Sequence, residues 1–141
     1  MISKVNNTKK AKLNTLFTVI LFTLLFWMVA FISFATTPPT IKGIWLNDTQ
    51  KVKVRMVEEN GSYKGIVIWK AEDASDELHE GDAMVKDMQP TGSGSELNGG
   101  IIGSKTRNAK CAMRLLDDNN LEVTMSKGFF SKTVTWTRAQ E

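Results

Sequence analysis

The chain has 141 residues, with 18 Lys and Arg against 15 Asp and Glu, and a formal net charge of +3. Four of the basic residues and none of the acidic ones lie in the first 35 residues, so residues 36–141 carry 14 basic against 15 acidic side chains. This near neutrality argues against a nucleic-acid-binding protein, which would need a basic surface. The single cysteine, Cys111, excludes an intramolecular disulfide.

The first 35 residues have the order of a secretory signal peptide. A basic start precedes an apolar run over 16–34, and Ser33 and Ala35 occupy the −3 and −1 positions of a cleavage site. The run is also close to the roughly 20 apolar residues that span a bilayer, so an uncleaved anchor is the alternative. We expect cleavage after Ala35 and a periplasmic or secreted protein, with membrane contact only through this N-terminal segment.

Residues 36–141 have the size of a single domain, and their apolar residues alternate with polar ones. Asn60-Gly61 is the strongest hairpin signal, because both residues tolerate the positive φ of a type I′ turn. The alternation predicts seven strands, over 41–46, 51–58, 63–70, 97–102, 109–116, 121–126 and 132–138, and leaves an eighth open over 83–89. Short sequential connections favour an all-β, antiparallel up-and-down barrel of seven or eight strands, and an open sandwich is the alternative.

Tryptophans near both ends of this pattern resemble those of the lipocalin-type (calycin) barrel. The first strand contains Gly43-x-Trp45, and the last contains Trp136 followed by Thr137 and Arg138. In that fold an early Trp plugs the closed end and a late Arg lies against it. The resemblance therefore implies that Arg138 stacks on Trp45 while Gly43 leaves room for the contact, and such a stack contributes about 0.5–2 kcal/mol.

More specifically, the chain resembles an uncharacterised family of exported bacterial proteins, domain of unknown function 2147, from about residue 41 to 138. The motifs that carry the resemblance are Gly43-x-Trp45 and the segments 64–69, 99–102 and 135–138. The chain lacks the family's frequent early cysteine pair, its Asp-Pro after the double glycine, and its Asn-Pro after the acidic loop. The resemblance implies the fold and export, and it implies no activity.

An eight-stranded barrel is just wide enough to be filled by its own side chains or to hold one small ligand. The alternation predicts an apolar interior, lined by Val54, Met56, Trp69, Met113, Leu121 and Met125. Methionine adapts to an apolar guest but is also ordinary core filler. The leading hypothesis is therefore non-enzymatic binding of a small apolar or amphipathic ligand. The alternative is an envelope interaction or inhibitor module with a filled barrel.

Other chemistry-bearing residues do not form a recognisable active site. Six carboxylates and His79 lie within 72–82, but their spacing does not match an EF-hand loop, and a solvated acidic loop is the better interpretation. Cys111 lies in an alternating stretch and is expected to be a buried, inert thiol. No catalytic residue, cofactor or metal ligand is predicted.

Phe129 and Phe130 follow Gly128 at a predicted turn. We expect one of the two rings to cover the barrel mouth. Two exposed rings would instead mark an edge that docks on a partner or touches a membrane.

Overall fold

The computed structural model describes residues 2–29, 39–92 and 94–141. The chain divides into two compact units, Met1–Thr37 and Pro38–Glu141. The first contains the helix α1 (Ile2–Val29). Among the described residues, no helix combines the length and hydropathy needed to cross a membrane. The predicted cleavage site at Ser33 and Ala35 lies outside the described residues, so cleavage stays a prediction.

The second unit contains eight antiparallel strands that form a closed barrel. The strands are β1 (Gly43–Leu46), β2 (Val52–Glu59), β3 (Ser62–Lys70), β4 (Ala83–Pro90), β5 (Glu96–Gly103), β6 (Asn108–Leu115), β7 (Asn120–Lys127) and β8 (Phe130–Ala139). Each strand pairs with the next in sequence, and β1 also pairs with β8. The predicted all-β up-and-down barrel is therefore confirmed, and the open sandwich is excluded.

Two kinds of local backbone geometry shape this barrel. Asn60 and Gly61, between β2 and β3, have φ values of 53° and 79°, as the predicted type I′ turn requires. In β5 the register shifts between Leu97 and Gly100, and Gly99 within this bulge has a φ of 72°. The tight turn brings sequential strands together, and the bulge adds curvature to the barrel wall.

The barrel has two different ends. The closed end contains the start of β1, the end of β8, and the β2–β3, β4–β5 and β6–β7 turns. The open end contains the β1–β2, β3–β4, β5–β6 and β7–β8 connections. The interior between them is apolar, and within the described residues no polar or charged side chain is buried.

Trp45 fills the closed end of the barrel. Its side chain is fully buried, and its indole Nε1 donates a hydrogen bond of 2.8 Å to the backbone oxygen of Ile41. Trp136, from β8, is also buried. Because Trp45 is the Cα partner of Arg138 on β8, the two ends of the sheet meet at this residue.

The Arg138 side chain lies against the Trp45 indole and joins several backbone segments of the closed end. Its guanidinium carbon lies 4.2 Å from the centroid of the Trp45 ring, the stack that the resemblance implied. Nη1 and Nη2 donate to the backbone oxygens of Lys42 and Thr40, at 3.0 and 2.7 Å. A Cβ at Gly43, which has a φ of 123°, would lie 2.7 Å from Nη1. Only glycine fits there without displacing the guanidinium.

We predict that Trp45→Ala lowers the free energy of unfolding by about 3–5 kcal/mol, because it removes a buried indole and leaves a cavity. Trp69→Ala is the matched control, since Trp69 is 40% exposed, and it should cost less, about 1–2 kcal/mol. Chemical denaturation followed by circular dichroism measures both values. Equal losses for the two variants would show that Trp45 does not support the closed end.

Candidate functional site: the barrel interior and its open end

Five of the six predicted lining residues face the interior. Val54, Met56, Met113 and Leu121 are buried, and Met125 is half-buried and packs against the same core. They come from β2, β6 and β7 and are brought together by barrel closure. The site that they share is a continuous apolar core.

The prediction that Trp69 faces the interior is wrong. Lys53 pairs with Trp69, but the next pair along is Val54 with Val67, so Ile68 is an extra residue in β3. Such a bulge reverses the side to which the following residue points. Trp69 is consequently on the outer surface, 40% exposed, with the Lys53 Nζ 5.7 Å from its ring centroid.

Interior side chains pack tightly against the backbone of two glycines, Gly65 and Gly100. A Cβ at Gly65 would lie 2.7 Å from Val54 Cγ1 and 2.8 Å from Met56 Sδ. A Cβ at Gly100 would overlap the thioether of Met88. The glycines thus make space that the neighbouring side chains fill, and a guest could enter only if the methionines repacked.

A loop covers the open end of this interior. The β3–β4 loop, residues 71–82, places Leu78 in the core with 8% of its surface exposed, and Ala74 packs against the same core. The amide of Gly81 donates to the oxygen of Val67 at 2.7 Å, and the amide of Val67 donates to the oxygen of Asp82 at 2.9 Å. Leu78 is therefore held over the interior as a lid.

Glu77 fastens the β3–β4 loop to the β5–β6 turn, a contact that we name the Glu77 latch. The hydroxyls of Ser104 and Thr106 each donate a hydrogen bond of 2.6 Å to Glu77 Oε2. Arg107 Nε lies 3.8 Å from Glu77 Oε1. The two hydroxyls, and then the Arg107 charge, hold the pKa of Glu77 below its ordinary value. The latch therefore persists at neutral pH.

The loop is more ordered than the predicted solvated acidic loop. Asp73 pairs with Lys51 at 2.7 Å, and Asp82 accepts a hydrogen bond of 3.0 Å from the amide of His79. These contacts lower the pKa of both carboxyls, with the hydrogen bond from Lys51 acting first on Asp73 and the one from the His79 backbone acting first on Asp82. Among the described residues, no three His, Cys, Asp or Glu side chains come together to hold a metal ion.

Cys111 lies inside the barrel wall near the open end. It is the Cα partner of both Gly100 and Met125, and 3% of its surface is exposed. Burial raises the pKa of its thiol to about 12, so the reactive thiolate is scarce at neutral pH. Cys111 is thus unsuited to nucleophilic chemistry but well placed to report opening of the barrel.

Sequence reasoning also misplaced the residues at the mouth. The expectation that one phenylalanine ring covers it is wrong, because Phe129 and Phe130 are both exposed. The pairing of Lys127 with Phe130 carries the β7–β8 hairpin to its tip, where the rings project into solvent. The residue that covers the mouth is Leu78. An isolated leucine among carboxylates and His79 was the one signal that could have indicated it.

Comparison with known proteins bears on the type of barrel. Protein HP1028 from the human pathogen Helicobacter pylori, which belongs to the lipocalin family, has a solved structure that matches with a TM-score of 0.60 at 19% identity. The match covers 74% of this chain and 86% of that chain. At this identity it shows the fold alone, which is lipocalin-like. No protein-family model and no curated protein matches the chain, so membership of family 2147 stays a prediction.

We predict that the Glu77 latch is insensitive to pH from about 7 down to 5 and is lost on further acidification. A carboxyl whose folded-state pKa is lowered contributes stability above its unfolded pKa and loses it as the pH falls through the folded value. The measurement is the hydrogen-exchange protection of the Gly81 amide, corrected for intrinsic exchange. Glu77→Gln should lower this protection severalfold at neutral pH and have little effect at the acidic pH where the latch of the unsubstituted chain is already lost.

Glu80→Gln is the matched control, because Glu80 is an exposed carboxylate of the same loop with no ion pair among the described residues. Equal protection in the two variants at neutral pH would contradict the latch.

Proposed function

We propose that this chain is an exported, non-enzymatic protein that binds one small apolar or amphipathic molecule inside the barrel. The observation that carries the proposal is the contrast between the two ends. Trp45 and Arg138 close one end with buried packing and three backbone acceptors. The other is covered by Leu78 and Ala74, on a loop fastened through Glu77.

The chemistry of the interior selects the ligand class. Among the described residues, the interior contains no buried polar side chain, so the enclosed part of a guest must be apolar. Met56, Met88 and Met113 supply flexible, polarisable walls that can repack around different shapes. Any polar group of the guest would remain at the open end, beside the polar loops. This arrangement suits an amphipathic molecule with one charged or hydroxylated end.

Binding requires the lid to open. Leu78 and the methionine side chains together occupy the space that a guest would take, so the conformation described is the closed state. Release of the Glu77 latch and of the two backbone hydrogen bonds between Val67 and residues 81 and 82 would let Leu78 leave while the register pairs of β3 and β4 stay intact. The guest then has to bind the open state more tightly than the closed one by enough to offset the lost packing.

The lipocalin-like fold supports binding of a small molecule, and the resemblance to family 2147 supports membership of that family and export. The alternative function, an envelope interaction or inhibitor module with a filled barrel, is favoured by the close packing at Gly65 and Gly100. The two proposals differ in a measurable way, because only ligand binding requires the interior side chains to move and make room for a guest.

Native mass spectrometry of protein purified from its own host is the first test. We expect an added mass of one small molecule per chain, and a polypeptide that begins at Thr36. An apolar fluorophore should bind the guest-free protein, and the bound fluorophore should slow the reaction of Cys111 with a thiol reagent. The fluorophore should also associate severalfold faster with Glu77→Gln than with the Glu80→Gln control.

A preparation repeatedly free of guest, together with no fluorophore uptake even by Leu78→Ala, would overturn ligand binding in favour of the filled-barrel module. A host protein that retains Met1 would replace the cleaved leader with the anchored alternative.

A further inference from the structure

The tip of the β7–β8 hairpin exposes two large apolar rings. Phe129 and Phe130 have relative exposures of 107% and 84%. The hairpin beneath them is regular, because Lys127 pairs with Phe130 and Ser126 pairs with Ser131, whose hydroxyls lie 3.2 Å apart. The rings are thus presented on a firm support rather than on a loose loop.

Three lysines lie close to this tip in sequence or in strand register. Lys127 and Lys132 flank the two rings in sequence, and Lys110 lies on the neighbouring strand as the residue before Cys111, opposite Ser126. Within the described part of the chain, none of the three lysines takes part in an ion pair. The two segments that form this region, 108–113 and 123–135, contain these three lysines and no Asp or Glu.

The acidic loop and the nearby Arg–Glu pair lie away from the tip. The acidic β3–β4 loop joins strands four positions away around the barrel, and its Glu77 is bound to the β5–β6 turn. Arg114 and Glu122, on β6 and β7, pair with each other at 3.0 Å nearer the closed end. The tip therefore combines apolar rings with local positive charge, although residues 36–141 as a whole are almost neutral.

This combination is complementary to the surface of an anionic bilayer. Aromatic rings partition into the boundary between headgroups and acyl chains, while lysines extend their stems along apolar surface and keep the ammonium among phosphates. Basic residues near an anionic membrane each contribute attraction that falls off within a Debye length. A narrow tip with two rings suits insertion between lipids better than a broad protein interface, which buries a larger continuous patch.

We propose that the β7–β8 tip docks on an anionic membrane surface, with Phe129 and Phe130 in the headgroup–acyl boundary and the three lysines beside lipid phosphates. This contact adds to the one expected of the N-terminal segment, and it does not depend on ligand binding in the barrel. It would place the β7–β8 side of the open end next to the membrane.

The test places an environment-sensitive fluorophore at the tip of the full-length chain through Phe129→Cys. Asn119→Cys is the matched control, since Asn119 lies in the β6–β7 turn at the opposite end of the barrel. Labelling is stopped before buried Cys111 reacts, which the unsubstituted chain treated in the same way verifies. Both labelled proteins are mixed with vesicles of phosphatidylcholine alone or of phosphatidylcholine with phosphatidylglycerol, and emission and quenching by lipid-attached quenchers are recorded.

We expect the label at 129 to shift to shorter wavelength and to be quenched by lipid only with phosphatidylglycerol present, while the label at 119 stays in water. Substitution of Lys110, Lys127 and Lys132 by Gln should lower the docked ratio by about fivefold per lysine, and high salt should lower it too. Unchanged thermal melts show that the variants fold.

Three results would overturn the proposal. The label at 129 could remain in water with both kinds of vesicle, which would leave the tip to a protein partner. Both labels could respond equally, which would assign the response to the N-terminal segment. The label at 129 could shift with protein concentration and without lipid, which would make the occupant a second copy of the chain.

Discussion

The contact between the Arg138 guanidinium and the Trp45 indole depends on β1 lying beside β8, and the barrel exists only because that pairing closes the sheet. β1 has four residues and would be a weak edge strand by itself. Arg138 compensates for the short strand because it stacks on Trp45 and donates hydrogen bonds to three backbone oxygens. These belong to Thr40 and Lys42, which precede β1, and to Asp118 in the β6–β7 turn. A single side chain thereby joins the lead-in to β1, the β6–β7 turn and β8.

Closure at this end gives the molecule its asymmetry. The closed end is held by backbone acceptors and a buried indole, which cannot separate without breaking strand pairing. The open end is covered by Leu78, whose loop is fastened by surface hydrogen bonds to Glu77 and by two backbone bonds to Val67. Local opening requires least free energy where few buried contacts are lost. A guest would therefore enter beneath the β3–β4 loop.

Much of this fold follows from sequence alternation, because period-two patterns identify strands and Asn60-Gly61 identifies a hairpin. The alternation also placed Met56, Met113 and Leu121 inside correctly. It misplaced Trp69, because one extra residue in β3 reverses the side of the sheet to which Trp69 points. No signal in the composition marks such a bulge. Leu78 was missed for a different reason. Its burial depends on a loop that folds back over residues distant in sequence, and its neighbours are charged. The exposure of Phe129 and Phe130 likewise depends on where the β7–β8 turn falls, since both rings lie at its tip.

Solution NMR of the Arg138 side chain tests the closure most directly. The guanidinium lies over the indole, so the Arg138 side-chain protons should be shifted upfield by the ring current and show cross-relaxation to the Trp45 ring. Trp45→Leu should remove that shift while other arginines keep theirs. Arg138 protons at random-coil positions, with no cross-relaxation between β1 and β8, would contradict a closed barrel and with it an enclosed interior.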